Sequence, residues 1–342
     1  MRRFGWLTAA MVLFSVTSAW AQDAVAVLTE IQPKKGQVQV RTANDKDWTA
    51  PKPLQALRAG DQVQVTGDGR AVLVFTGGRG TQLVTQSNSP FKVDARAEGQ
   101  VTDRAKAVLG NVTNFLLGQQ REKTYQSLSV RSMPPPTLLA PRETLVIANA
   151  LPAIEWRAGA SSGGYTVRFL GPQGLVWEKS EAQKPLDYAG PPMVPGAKYT
   201  IEFQWRAAEP QEPEKAEKMT KYTKEADAVC TPVATRSLLC TQRKQIEVLG
   251  IDGARRVRDG LAVLTPELAK GYPPSTLVLM RAGLLFQEKL YADARRELVA
   301  GIAKYPDEAT LHMLLGHVYE RTDLKQLAGN EFDEAEALAA GR

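Results

Sequence analysis

The chain contains only two histidines and two cysteines, although these residue types are common among catalytic groups and metal ligands. His312 and His317 are its only histidines, and they lie on different faces of a predicted helix, outside any His-Glu-x-x-His arrangement. The run Gly77–Gly80 lacks the Lys-Ser/Thr pair of a phosphate-binding loop and is typical of a hairpin turn. These observations predict no metal site, no cofactor and no enzyme activity. Hydrolysis by a pair of carboxylates, as in a glycosidase, stays open as an alternative.

A secretory signal peptide is predicted at the amino end. Two arginines precede an apolar run at residues 6–16, and small residues at Ala19 and Ala21 mark a cleavage site before Gln22. Removal of residues 1–21 predicts a periplasmic protein without a membrane span, because no later segment has the length of a transmembrane helix. An uncleaved membrane anchor is the alternative.

Export bears on the two cysteines, Cys230 and Cys240. In an oxidising compartment a lone pair of cysteines predicts a disulfide, here closing a loop that contains Pro232. A metal site would need more ligands, and no histidine lies nearby in the sequence. Two free thiols are the alternative.

The charge pattern argues against nucleic acid as a partner. The formal net charge is +6, and loss of the two signal-peptide arginines leaves +4. No basic stripe is interleaved with aromatic residues, as a nucleic-acid surface requires. The densest basic cluster, at residues 215–224, is interrupted by Glu217 and is typical of a solvated segment.

The first part of the chain has the pattern of an all-β module. Residues 36–41 and 62–66 alternate apolar and polar side chains as half-buried strands do, and residues 71–75 are a continuous apolar run. The region resembles the FecR-like domain of bacterial envelope proteins. The residues that carry the resemblance are Gly36-Gln-Val-Gln-Val, Trp48, Leu57-Arg-Ala-Gly60-Asp61, Ala71-Val-Leu-Val-Phe75, Gly78 and Ser89-Pro90-Phe91-Lys92-Val93.

The resemblance implies a FecR-like module at residues 22–131, which ends in a helix that the apolar spacing predicts at 102–117. Three successive prolines then predict a stiff linker at 132–137. The iron-signalling regulator of this family has a cytoplasmic segment before its membrane span, and none is expected ahead of the apolar run here. The module is therefore expected to serve binding or envelope targeting rather than direct transmembrane signalling.

Residues 138–250 predict a second β region. Short strands at 153–156, 165–170, 175–177 and 199–205 each carry aromatic residues, and the region resembles a small fibronectin- or immunoglobulin-like sandwich. Residues from about 207 to 243 fit no strand pattern. They are interpreted as an insertion before a last strand at 245–249, pinned at its base by the disulfide, and a plain interdomain linker is the alternative.

The apolar period becomes helical over residues 251–342. Two units 34 residues apart resemble tetratricopeptide helical hairpins, in which small residues let two antiparallel helices approach closely. The first unit carries Ala282, Leu285, Ala294, Leu298, Gly301 and Pro306, and the second carries Gly316, Tyr319, Ala328, Phe332 and Ala335. The first unit departs from the family pattern at Leu298, where an aromatic residue is usual, and at Gly301, where alanine is usual.

In this family the first helix of each unit lines a concave groove that binds partners. Carried over by position, that face presents Gly283 and seven candidate partner-binding residues. The seven are Leu279, Phe286, Gln287, Met313, His317, Glu320 and Arg321. The alternative is that the groove is shallow, with only two units, and that these residues pack on the preceding helix or on the sandwich.

The expected fold class is therefore multidomain β plus α: a FecR-like β module, a small β sandwich and tetratricopeptide-like helical hairpins. The expected function is that of a non-enzymatic binding or scaffold protein of the bacterial cell envelope, with an envelope protein or a cell-wall component as its partner. Two alternatives stay open. One is an accessory or sensor component of an envelope signalling or uptake system, and the other is a carboxylate-dependent cell-wall glycosidase.

Overall fold

The computed structural model describes residues 24–94, 103–119, 136–159, 164–208, 227–234, 237–265, 267 and 271–341. Within these ranges the chain is mixed β plus α, as the sequence predicts at this coarse level: two β regions with a helix between them, followed by five helices. The predicted signal peptide and residues 132–135 of the predicted linker lie outside the described residues. No helix of the described part is long and apolar enough to cross a membrane.

The first β region packs two small sheets face to face. Their strand orders are β3-β1-β5-β6 and β2-β4-β7. The strands are Ala26–Gln32 (β1), Gln37–Arg41 (β2), Ala56–Leu57 (β3), Gln62–Thr66 (β4), Arg70–Phe75 (β5), Thr81–Thr85 (β6) and Phe91–Lys92 (β7). In β2 and β4 the valines are buried and the residues between them are not, which is the alternation read from the sequence. We call this region the β module.

The second β region has one large sheet of order β12-β11-β13-β15-β14, with β9 added parallel to β15, and a small pair β10-β8. The strands are Thr137–Ala140 (β8), Thr144–Val146 (β9), Glu155–Arg157 (β10), Tyr165–Gly171 (β11), Gly174–Ala182 (β12), Lys198–Ala208 (β13), Ala228–Ala234 (β14) and Ser237–Val248 (β15). Its core contains Trp156, Phe169, Phe203 and Trp205, all buried. We call this region the second sheet region.

The structure differs from the sequence interpretation in the described residues of the range 207–243, namely 207–208, 227–234 and 237–243. Instead of an insertion without strands, β13 runs on to Ala208, and β14 and β15 form a hairpin that adds β14 to the edge of the sheet. Cys230 and Cys240 face each other across this hairpin and form the predicted disulfide. Exposed residues and Pro232 in β14 conceal the strand pattern, because proline and solvent-facing residues are tolerated at a sheet edge.

Six helices occur in the described residues. They are Asp103–Leu117 (α1), Ile251–Val263 (α2), Pro274–Gln287 (α3), Tyr291–Lys304 (α4), Ala309–Arg321 (α5) and Lys325–Ala339 (α6). Helices α3 and α4 form one antiparallel hairpin, and α5 and α6 form another. A Cβ placed on Gly316 of α5 would lie 2.4 Å from the ring of Phe332 in α6, so this crossing requires glycine. We call α2–α6 the helical array.

Candidate functional site

The predicted partner-binding face of the helical array is occupied at one end by α1. Leu279 and Phe286 are buried, and the Phe286 ring lies 5.3 Å from the ring of Phe115 in α1. A Cβ on Gly283 would lie 2.9 Å from Val112 Cγ1 of α1. An amphipathic helix of the same chain therefore fills this part of the groove in the way that a bound helical peptide would.

The other end of the same face is open. Gln287 and Arg321 are exposed, and Glu320 and Met313 are half-buried. Met313 packs against the main apolar cluster, so it contributes packing in addition to surface. His317 is buried, with its ring 5.0 Å from the ring of Phe332, and it points into the second hairpin rather than onto the open face. The predicted set is therefore divided between a covered half and an accessible half.

A cleft of about 200 Å³ adjoins the open end, between the helical array and the second sheet region. Lys289, from the turn between α3 and α4, and Tyr291, the first residue of α4, form one wall, and Glu143, Lys198 and Glu247 lie on the other. Burial raises the pKa of Tyr291, and the positive charge of Arg321 opposes this shift, which places the guanidinium near the phenol. Tyr291 therefore links the two features, because it lines the cleft and lies near Arg321 of the open end.

The charges along the open end and the cleft have both signs. The Lys198 ammonium lies 3.9 Å from a carboxylate oxygen of Glu247, and both side chains are largely exposed. Arg321 forms no salt bridge within the described part of the chain. Exposed charges of both signs with a phenol and an amide suit a polar ligand that is held by hydrogen bonds and ion pairs.

Both histidines lie on α5, apart from any other candidate catalytic group that the sequence suggests. His312 Nδ1 lies 2.7 Å from Glu331 Oε2, and this pair bridges the two helices of the second hairpin. Residues 159–163 have Gly-x-Ser-x-Gly spacing, but they lie between strands β10 and β11 rather than between a strand and a helix, and residues 160–163 lie outside the described residues. Among the residues described, no group of three or more potential ligands could hold a metal ion.

Sequence reasoning missed a second cluster, where the β module meets the helical array. Glu30 of β1 and Glu308, which directly precedes α5, are both fully buried. Glu30 accepts hydrogen bonds from Ser275 and Thr276 in the first turn of α3, while Glu308 accepts one from the Ile31 amide. No sequence signal marks Glu30, which lies within a strand whose residues from Ala26 to Ile31 are all buried.

No protein-family model matches this chain, and neither does any curated protein sequence.

Proposed function

We propose that this chain is an exported, non-enzymatic binding or scaffold protein of the bacterial cell envelope, with an envelope protein or a cell-wall component as its partner. The observation that carries the proposal is the divided face of the helical array. Its covered half, with Leu279 and Phe286, fixes the array on the rest of the protein, while its accessible half presents Gln287, Glu320 and Arg321. An accessible face on a rigid support is the arrangement expected of a docking surface.

A tetratricopeptide-like identity for the array is part of the proposal, and the repeat in its backbone supports it. Lys289 and Asp323 lie 34 residues apart, and both take up positive φ angles, of 60° and 57°, two residues after a helix ends. Such left-handed residues satisfy the last carbonyl groups of a helix. The close approach of Gly316 to Phe332 also occurs at the positions that the family pattern assigns to small and large residues.

A FecR-like identity for the β module and a sandwich-like identity for the second sheet region belong to the same proposal. The strands at Gln37–Arg41, Gln62–Thr66 and Arg70–Phe75 coincide with the residues that carry the FecR-like resemblance. Export is supported by the Cys230–Cys240 disulfide, because such bonds persist in oxidising compartments and are rare in the cytosol.

The accessible half favours an extended polar segment of a partner protein that carries an acidic side chain. The Arg321 guanidinium can hold a carboxylate through two parallel hydrogen bonds. The side-chain amide of Gln287 can donate a hydrogen bond to a backbone carbonyl of the partner and accept one from a backbone N–H. Tyr291 adds a flat apolar surface at the entrance of the cleft, where an aromatic ring is typical of binding interfaces.

The test is site-specific photo-crosslinking in intact cells. When a photoreactive residue replaces Gln287, a crosslinked product of one defined mass is expected. When the same residue replaces Val299, which is exposed on α4, no product of that mass is expected. Arg321→Glu should reduce the Gln287 adduct by about tenfold or more, since it replaces an ion pair with repulsion. Arg255→Glu is the matched control, because Arg255 is exposed on α2.

The proposed binding surface would be contradicted if the crosslinked product formed in equal yield at positions 287 and 299. It would also be contradicted if Arg321→Glu left the yield unchanged in a correctly folded protein. Phe286 is unsuitable for this experiment, because its ring belongs to the buried core and its loss would unfold the junction with α1.

A further inference from the structure

The junction between the β module and the helical array contains two buried carboxyl groups with unequal sets of partners. Glu30 has a compensating cation, since Arg70 Nη2 lies 3.2 Å from its Oε2 atom, and it also receives the Ser275 and Thr276 hydroxyls. Glu30 therefore has one cation and two hydroxyl donors within bonding distance.

Glu308 is bonded only by neutral donors. The Ile31 amide donates to its Oε1 atom at 3.2 Å, and the Gln32 side-chain amide donates to its Oε2 atom at 2.9 Å. Its side chain makes no capping bond to its own helix, although Glu308 occupies the position before α5. The carboxyl group therefore serves the junction with β1.

A β-bulge in β1 brings these groups together. The register between β1 and β5 shifts between Leu28 and Glu30, and Thr29 and Glu30 are both buried against the helices. The Thr310 hydroxyl donates a hydrogen bond to the Thr29 carbonyl at 2.6 Å. Thr29 is the neighbour of Glu30 in β1, and Thr310 follows Glu308 by two residues at the start of α5. Strand β1 is thus tied by side chains to the first turns of both α3 and α5.

We propose that this junction is a pH-sensitive latch, in which protonated Glu308 holds β1 against the helical array and its ionisation loosens the contact. The charged groups that act on Glu308 are Glu30 in β1, which repels its negative form, and Arg70 in β5, which attracts it. The inference rests on the junction alone and does not require the partner surface proposed above.

Burial and then the charge of Glu30 raise the pKa of Glu308 to about 8, against weaker opposing effects from Gln32, the Ile31 amide and Arg70. When the latch opens, the carboxyl group regains water and its ordinary pKa, near 4.5. A raised pKa in the closed state gives stability that is complete below about pH 4.5 and is lost as the pH rises to about 8. Above pH 8 both states are ionised, and no further loss is expected.

Hydrogen exchange of the full-length protein between pH 5.5 and 8.5 tests the latch. Protection of a peptide covering β1 is measured relative to a peptide covering β4, so that the intrinsic pH dependence of exchange cancels. The ratio is expected to fall by about tenfold or more over this range in the wild type, and to stay constant in Glu308→Gln, which keeps the shape and one of the two acceptor oxygens but cannot ionise. Glu334→Gln, at an exposed site on α6, is the matched control and should behave as the wild type.

Asp293 and His312 also have raised pKa values, but both remain in all three proteins, so comparison between variants removes their contribution. An equal fall in Glu308→Gln and the wild type would overturn the proposal. If Glu308→Gln does not fold, nuclear magnetic resonance can follow the chemical shift of the Glu308 carboxyl carbon with pH in the wild type. A titration midpoint above about 7 supports the latch, and a midpoint below about 6 overturns it.

Discussion

The helical array meets both β regions, and the two junctions are built from different interactions. Against the β module, contact is made by the apolar face of α1 and by the fully buried carboxyl groups of Glu30 and Glu308. Against the second sheet region, the Leu145 amide donates to the Lys289 carbonyl at 2.9 Å, and Arg295 donates to Glu155 Oε2 at 2.9 Å near the surface.

The difference shows how burial decides what a polar contact contributes. A charge removed from water must have a partner, so the loss of one member of the first junction is costly and its ionisation matters. At the second junction the backbone bond is independent of side-chain identity, and the Glu155 side chain remains 36% exposed, so that water and salt can replace its partner. The first junction should respond to pH and the second to salt.

The largest effect is expected from Phe286→Ala, at the point where α1 meets α3. The Phe286 ring contacts Phe115 on one side and Tyr291 on the other, with ring centroids 5.3 Å apart in both pairs. Removing this ring should lower the free energy of unfolding by about 3–5 kcal/mol, measured by urea denaturation. Val299→Ala, at a partly exposed site, should cost less than about 1 kcal/mol, and similar costs for the two variants would show that the junction is loosely packed.

A smaller loss, about 2–3 kcal/mol, is expected from Glu30→Ala in the first junction. The substitution removes the acceptor of two buried helix hydroxyls, which are left in a dry interface, and the partner of Arg70, whose side chain is 39% exposed. Because Glu30 also repels Glu308, the same variant should shift the pH midpoint of the latch downward. A stability equal to that of Glu334→Ala would contradict the assignment of Glu30 as a member of the junction.

The smallest effect is expected from Glu155→Ala in the second junction, about 1 kcal/mol at low salt, because the Glu155 side chain is 36% exposed. A double-mutant cycle with Arg295→Ala, whose own cost is larger because its side chain is only 9% exposed, should give a coupling energy that decreases between about 0.05 M and about 0.5 M salt. The Glu30 substitution should show little salt dependence by comparison. Coupling that does not change with salt would mean that the Arg295–Glu155 pair is as well shielded as the first junction.

Much of the fold could be predicted where a local pattern and the final environment agree. The valines of β2 and β4, the apolar face of α1 at Ala105, Leu109, Val112 and Leu116, and the small residues of the second hairpin are all buried as their spacing predicts. The cysteine pair was also predictable, because a chain with two cysteines has a single possible intramolecular bridge.

The prediction was wrong where pairing partners, and not local pattern, decide the structure. Strand β14 and the extension of β13 have no clear alternation, and they are strands because β15 supplies hydrogen bonds along their length. Edge strands of this kind bury little of their own surface, so hydrophobic periodicity does not reveal them.

The candidate surface shows the same division. The resemblance to tetratricopeptide hairpins, carried over by position, predicted Leu279, Phe286, Gln287 and Arg321 on the first helices of the two hairpins. It could not tell which of them another part of the chain would cover. Only the position of α1, which follows from its packing on both the β module and α3, separates the buried half from the accessible half.

By itself, the sequence determined the periodic elements, the 34-residue spacing of the two helical hairpins and the disulfide, because each depends on neighbours close in the chain. The tertiary structure alone decided that α1 fills half of the predicted partner-binding face and that Glu30 and Glu308 meet at β1. Glu30 and Glu308 are 278 positions apart, and a single bulge in one strand turns Glu30 toward the helices. No local pattern encodes such a meeting, since it depends on how three regions pack together.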